Sequence, residues 1–413
     1  MDKKLKVGIL RETKTPHDKR VAVPPGEAVE LIKLFPCVEL INQPSKIRCY
    51  NDQEYIDSGL TLKEDLSECD ILIGVKEVDI QALIPGKTYL FFSHTTKKQV
   101  HNRKLLQEIV KKNITLIDYE YLTDKNNIRL VAFGWWAGLV GAYNGLIAYG
   151  KRYRLFDLKP VHQCYDMDEM IEELKKVKLP PIKILITGGG RVAHGAMDTM
   201  IHAKLRGVKP EEFLAKTFDE PVFCQIDPWF YLKRKDGLVF DESNFDHFVL
   251  HPDEYESTFL AYTKVTDLFI PCHFWDPKSP VFMTKEDMKA KDFKMKVIAD
   301  ISCDIKKPVP STIRASTIAE PFYGYDPITE KESEPFDEKN ITVMAVDNLP
   351  AELPRNASLD FGEKLIEKVF PSLFGDDSDG IIDRATIVKE GKLTENFSYL
   401  EDYLAGKEIS SDR

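Results

Sequence analysis

Three ionisable side chains stand at the ends of three apolar runs. Lys76 closes DILIGVK (70–76), His94 closes KTYLFFSH (87–94), and Glu120 lies late in ITLIDYEYL (114–122). Each run reads as a buried strand, and open α/β sheets handle ligands just outside the carboxyl ends of their strands. A lysine in a dry cleft loses proton affinity and becomes a general base. A histidine titrates near neutrality and exchanges protons with water. The carboxylate of Glu120 would pair with Lys76 or orient it. Singly, a strand-end lysine is usually solvated and a strand-end histidine structural; three in succession point toward acid–base work. Arg20, in the loop after the first strand, has the forked geometry that clamps a carboxylate, although its position also suits a surface arginine. Asp347 follows the run ITVMAV and would either cap a helix or face a cofactor.

A glycine cluster supplies the second chemical signal. The run IKILIT (182–187) leads straight into Gly188, Gly189 and Gly190, then Arg191, Val192 and a helical pattern through Met200. Glycines between a strand and a helix permit a tight turn and let backbone approach a pyrophosphate, with the free N–H groups of the helix start aimed at it. The spacing G-x-G-x-x-x-x-G is looser than the dinucleotide fingerprint, and a plain strand-to-helix turn is the competing explanation. The acid that reads a ribose stands about 20 residues beyond such a turn. Arg206 and Lys209 occupy that neighbourhood instead, and a cation there would meet a 2′-phosphate. Asp227, after PVFCQ, lies much farther on. The expected cofactor is NAD or NADP.

The elements that must position these groups alternate between strand and helix patterns. KVGILR (6–11) and VELIN (38–42) are strands around a helical GEAVELIKLF (26–35). DLFIPCHF (267–274), KVIADIS (296–302) and ITVMAVD (341–347) are later strands, and the chain from Phe361 is helical and expected to pack back on the first domain. Such alternation predicts an α/β fold with mostly parallel sheets. The 413 residues suit two or three domains. With 57 basic and 67 acidic residues the net charge is −10, which argues against a nucleic-acid partner. Seven scattered cysteines without a C-x-x-C pair suit reduced thiols in the cytoplasm. No metal-ligand spacing occurs among the nine histidines, and the opening MDKKLKVGIL is too short for a signal-peptide core. The stretch 130–149 is apolar over about a bilayer's thickness, but it is rich in glycine and holds Asn144. It reads as a buried helix between domains, without a membrane role.

Together the segments RETKTPHDKR, LIGVKE, FFSHTTKKQ, LIDYEYL, VAFGWWAG, ADISCD, STIAEPFYGYD and VDNLPAELPRNAS carry a resemblance. In this order they resemble the lysine-forming saccharopine dehydrogenases, and still more the lysine–ketoglutarate reductase domain of the bifunctional lysine-degrading enzyme, within the alanine dehydrogenase and transhydrogenase superfamily. The resemblance implies two Rossmann-like domains with the active site in the interdomain cleft. Residues 1–130 with 350–413 would form the substrate and catalytic domain, and 131–349 the dinucleotide domain, with an irregular insertion at about 213–256.

It also implies a reaction, saccharopine, NAD(P)+ and water exchanging with L-lysine, 2-oxoglutarate and NAD(P)H. Lys76 would be the general base, His94 its acid–base partner and Glu120 the acid that tunes the lysine. Arg20, Gln99 and Phe133 would contact substrate. Gly188, Gly190, Arg191 and Val192 fall in the phosphate turn, and Ile301, Ser302 and Asp347 lie around the nicotinamide. An arginine that contacts the cofactor in lysine-forming enzymes appears here as Ile128, beside Arg129. The chain ends at Arg413, which suggests the one half-reaction alone. Competing expectations are an alanine dehydrogenase-like or other opine-forming enzyme, and a non-catalytic nucleotide-binding regulator. A homo-oligomer is also compatible with the family.

Overall fold

A computed structural model describes residues 4–407; residues 1–3 and 408–413, the extremes of the first expected domain, lie outside the described residues. The chain forms two compact units. One holds the residues up to Phe133 and from Pro354 onward, the other Gly134–Leu353.

In the first unit the strands are β1 (Leu5–Ile9), β2 (Val38–Asn42), β3 (Thr61–Leu62), β4 (Ile71–Ile73), β5 (Thr88–Phe91) and β6 (Thr115–Asp118). They lie side by side in the order β3-β2-β1-β4-β5-β6, all parallel. Val7, Ile9, Leu72, Ile73, Leu90, Phe91, Leu116 and Ile117 are buried, as expected for strands covered on both faces. The helix Pro25–Leu34 starts on a proline at its first turn and turns Ala28 and Leu31 inward. The strand order reverses between β1 and β4, which places the ligand crevice of such a sheet beside the loops that follow those two strands.

The second unit contains β7 (Lys183–Thr187), β8 (Arg206–Gly207), β9 (Val222–Ile226), β10 (Leu232–Arg234), β11 (Tyr255–Ser257), β12 (Leu268–Pro271), β13 (Val297–Ala299), β14 (Phe322–Asp326), β15 (Lys331–Ser333) and β16 (Ile341–Met344). Its large sheet runs β8-β9-β7-β12-β13-β16 in parallel and continues into the antiparallel β14 and β15. The reversal here lies between β7 and β12. The insertion expected to be irregular is a correction. Its β9 is an inner strand beside β7, and β10 and β11 form an antiparallel ribbon. Trp229, Phe240, Phe245, Phe248 and Tyr255 meet ring to ring around that ribbon. The aromatic density reports a local apolar core.

The glycine-rich apolar stretch forms the helix Gly134–Tyr153, whose crossing with the helix Arg191–His202 has no room for side chains. A Cβ on Gly138 would stand 1.8 Å from the Val192 carbonyl oxygen, and one on Gly195 would stand 2.0 Å from that of Trp135. The indole Nε1 of Trp135 donates to Asp198 at 2.8 Å, and Thr199 Oγ1 donates to the Leu139 carbonyl at 2.7 Å. Buried Asn144 donates to Glu352 at 2.8 Å. Among the described residues no helix is long and apolar enough to cross a membrane.

After Leu353 the chain returns to the first unit. The helix Pro354–Lys368 buries Phe361, Leu365 and Ile366 there. Then β17 (Thr386–Lys389) pairs antiparallel with β6, and β18 (Lys392–Leu393) closes the edge. Both sheets are therefore parallel in their interiors and antiparallel at one edge.

Gly138→Val places carbon where a carbonyl already stands. Overpacking of this kind costs about 1–3 kcal/mol or more, so its thermal midpoint should fall clearly. Gly26→Ala, with nothing within 4 Å of its added carbon, should melt at or slightly above the wild type.

Candidate active site

The residues singled out in the first unit follow neighbouring strands. Lys76 comes three residues after β4, His94 three after β5, and Glu120 two after β6. Lys76 is partly buried, and burial pushes its amine down to about 8, with the nearby Arg20 cation adding to the effect. His94 sits in the left-handed region at φ 51°, and its ring stacks at 15° to that of Phe92, centroids 6.3 Å apart. Its Nδ1 shares a 2.6 Å hydrogen bond with Glu77 Oε1. Lys14 donates to the other oxygen of Glu77 at 2.9 Å. Burial works against ionising Glu77, yet the bonds from His94 and Lys14 hold it down at about 2. Lys14, Glu77, His101 and Asn102 also line a surface cleft of this unit.

Glu77 is the carboxylate that sequence reasoning passed over, although it directly follows Lys76. Glu120, which was expected to pair with Lys76, instead has Lys97 as its ion-pair partner at 3.5 Å. A helical turn after β6, begun by Asp118 capping the Glu120 amide, carries it there.

Arg20 is not on the surface; it is 2% exposed. Its Nε and one terminal nitrogen donate to the two oxygens of Asp18 at 3.0 and 2.6 Å. The forked contact expected for a substrate carboxylate is thus made to Asp18. The guanidinium lies 4.3 Å over the Phe133 ring, and Phe133 stacks on Phe361 at 4.6 Å. Phe92 approaches both Phe133 and His94. Arg20, Phe133, His94 and Glu77 therefore form one contiguous patch. Gln99 is exposed and stands at the start of the helix Val100–Lys111, where its side-chain carbonyl accepts from Asn102 at 3.4 Å. Ile128 is 59% exposed.

In the second unit Gly188 has φ +96°, which favours glycine, and a Cβ on it would lie 2.9 Å from the Cys272 carbonyl oxygen. A Cβ on Gly189 would lie 2.2 Å from Asp227 Oδ1, while one on Gly190 would meet nothing within 4 Å. Gly190 precedes the twelve-residue helix Arg191–His202, whose first turn has no side-chain cap. Arg191 is exposed and Val192 is half-buried. An open glycine before uncapped helix amides fits a pyrophosphate.

The acid beside this turn is Asp227, at the carboxyl end of β9. Besides the Arg191–His202 helix, the short β8 and the Pro210–Ala215 helix intervene between β7 and β9, which moves the acid far beyond the usual spacing. Arg206, the candidate phosphate-reading cation, is on the outer strand β8 and pairs with Glu220 at 2.9 Å. Lys209 precedes the Pro210–Ala215 helix. The backbone amides of Ile301 and Ser302 both donate to the Pro271 carbonyl, at 3.1 and 3.3 Å. Ser302 Oγ donates to Asp300 at 2.6 Å. A Cβ on Gly141 would collide with the Ile301 side chain at 2.4 Å. Asp347 is exposed, and the cap position of the turn that follows belongs to Asn348, so the capping alternative is set aside.

Residues 8–140 match the family described as alanine dehydrogenase/PNT, N-terminal domain. The chain is 28% identical to the mitochondrial alpha-aminoadipic semialdehyde synthase of Rattus norvegicus, over 97% of this chain and 48% of that protein. It is 26% identical to the NAD(+), L-lysine-forming saccharopine dehydrogenase of Neurospora crassa, over 86% of this chain and 88% of that one. The chain resembles the lysine-forming saccharopine dehydrogenases over most of its length. It spans about half the length of the semialdehyde synthases it matches. A solved L-alanine dehydrogenase shares the fold, with a TM-score of 0.63 over 97% of this chain and 99% of its own at 13% identity.

The Glu77 network has a measurable acid signature. Its carboxyl is depressed from 4.5 to about 2, so the stability it contributes is complete above pH 4.5 and is lost as pH falls toward 2. Glu77→Gln should melt below the wild type at neutral pH. The gap should narrow between pH 4.5 and 2, read by circular dichroism.

Proposed function

We propose that the chain is an NAD-dependent oxidoreductase that interconverts saccharopine with L-lysine and 2-oxoglutarate. The observation that carries this reading is the placement, after the neighbouring strands β4 and β5, of an amine depressed by burial and an imidazole held by a carboxylate. Similarity to the enzymes named above supplies the substrate class.

In the direction of saccharopine oxidation, neutral Lys76 Nζ takes the proton of the substrate's secondary amine, whose carbon–nitrogen bond becomes an imine. When bound, the nicotinamide supplies the hydride acceptor. Glu77 engages His94 Nδ1, which leaves Nε2 as the nitrogen that moves protons. There it takes a proton from the water that adds to the imine carbon. The resulting carbinolamine collapses when Lys76 returns its proton to the nitrogen: the hydroxyl gives up its proton to water, the carbonyl forms and the carbon–nitrogen bond breaks, releasing lysine and 2-oxoglutarate. Arg20 is committed to Asp18 and Phe133, so its part is to keep a positive charge beside Lys76, disfavouring the ammonium. Gly188, Gly190 and the amides of Arg191 and Val192 would cradle the pyrophosphate. The carboxylate of Asp227 would accept from the adenosine ribose and repel a 2′-phosphate, which supports NAD over NADP.

The test is absorbance of NADH and, separately, NADPH with lysine plus 2-oxoglutarate, against ammonia plus pyruvate. Consumption of NADH that needs both lysine and 2-oxoglutarate is expected. Consumption with ammonia and pyruvate alone would move the chain to alanine formation. Lys76→Met and His94→Gln should each lower turnover by about 10²–10⁴-fold with cofactor fluorescence retained. In the oxidative direction kcat/KM should rise with pH to a plateau above about 8, as the Lys76 amine loses its proton.

A further inference from the structure

The segment RETKTPHDKR holds one carboxylate that the proposed chemistry does not use. Glu12 is 8% exposed. One of its oxygens accepts the backbone N–H of Val75 at 2.7 Å and the other accepts that of Lys76 at 2.8 Å. These two amides come just where β4 stops following β1, since the last rung between the two segments is Leu10 N–H to the Ile73 carbonyl. The carboxylate thus replaces the next rungs of the ladder, at the bend that aims Lys76. On the other side the bend is held by Phe92 N–H donating to the Val75 carbonyl and Tyr119 OH donating to the Gly74 carbonyl. The last grip on Lys76 itself is therefore Glu12.

We propose that Glu12 is a positioning residue for Lys76, its two-oxygen grip on the adjoining amides keeping the amine in its partly buried place. The role rests on the function proposed above only for its consequence in turnover. A buried carboxylate could otherwise serve the fold alone, as a substitute for two backbone bonds. The charged groups that bear on Lys76 are Arg20, Asp18, Lys14 and Glu77, and burial pushes Glu12 itself up to about 7.

The amine's own titration separates the two roles. Competitive acetylation of the full chain with acetic anhydride across pH, read peptide by peptide in a mass spectrometer, reports the Lys76 pKa without any enzymatic assay. Glu12→Gln puts an amide NH2 against a backbone N–H and releases one grip; Glu12→Asp keeps the charge but loses reach. In both, the amine is expected to move into water, and its pKa to rise from about 8 by about one unit or more toward the ordinary value. Loss of the carboxylate charge alone would move it the other way in Glu12→Gln and leave it still in Glu12→Asp, so the sign distinguishes repositioning from a charge effect. Turnover should fall about 10-fold or more in both variants, with the Kd for NADH unchanged. A Lys76 titration that stays put or moves down in the folded variants overturns the proposal, and Glu12→Asp serves if Glu12→Gln does not fold. If lysine and 2-oxoglutarate support no turnover even in the wild type while the titration still shifts, the positioning role stands and the assigned reaction falls.

Discussion

An amine partly withheld from water sets the terms for the first unit. Removing an ammonium from solvent disfavours the charged form, and Lys76 answers by titrating at about 8. The two acids that bear on it are each engaged by other groups. Asp18 is drawn off by Arg20, whose guanidinium also rests on Phe133. Glu77 is occupied by His94 and Lys14. Removing one member of the buried Arg20–Asp18 pair would leave its partner uncompensated.

The second unit works by backbone approach. Gly188 and Gly189 bring the end of β7 against Cys272 and Asp227, and Gly138 and Gly195 bring two helices together along their main chains. Both features need the absence of a Cβ, the one to let the strand end approach Cys272 and Asp227 and the other to let two helices meet along their main chains. The proposed function divides accordingly, with proton handling in the first unit and dinucleotide binding in the second.

Apolar runs and glycine turns exposed most of the strands and the helices between them, because a strand buried on both faces leaves an unbroken hydrophobic signature. What sequence spacing does not carry is adjacency. Asp227 lies far beyond the glycine turn in sequence, yet β9 folds beside β7 and puts the acid at Gly189. That Glu77 meets His94 and Glu120 meets Lys97 is not legible in spacing, because the partner of a carboxylate depends on the turn that follows its strand. Arg20 reads in sequence as a carboxylate clamp or a surface arginine; in three dimensions it is buried and two of its nitrogens donate to Asp18, two residues before it. The aromatic insertion misled for a related reason, since ring-to-ring packing has no period along the chain.

The fate of one hydride tests the central claim most directly. NADH carrying deuterium at the transferred position, incubated with the full chain, lysine and 2-oxoglutarate, should yield saccharopine one mass unit heavy, with the label on the carbon that joins the lysine nitrogen to the glutarate portion. Label in glutamate instead, or no labelled product while the cofactor remains bound, would contradict the account.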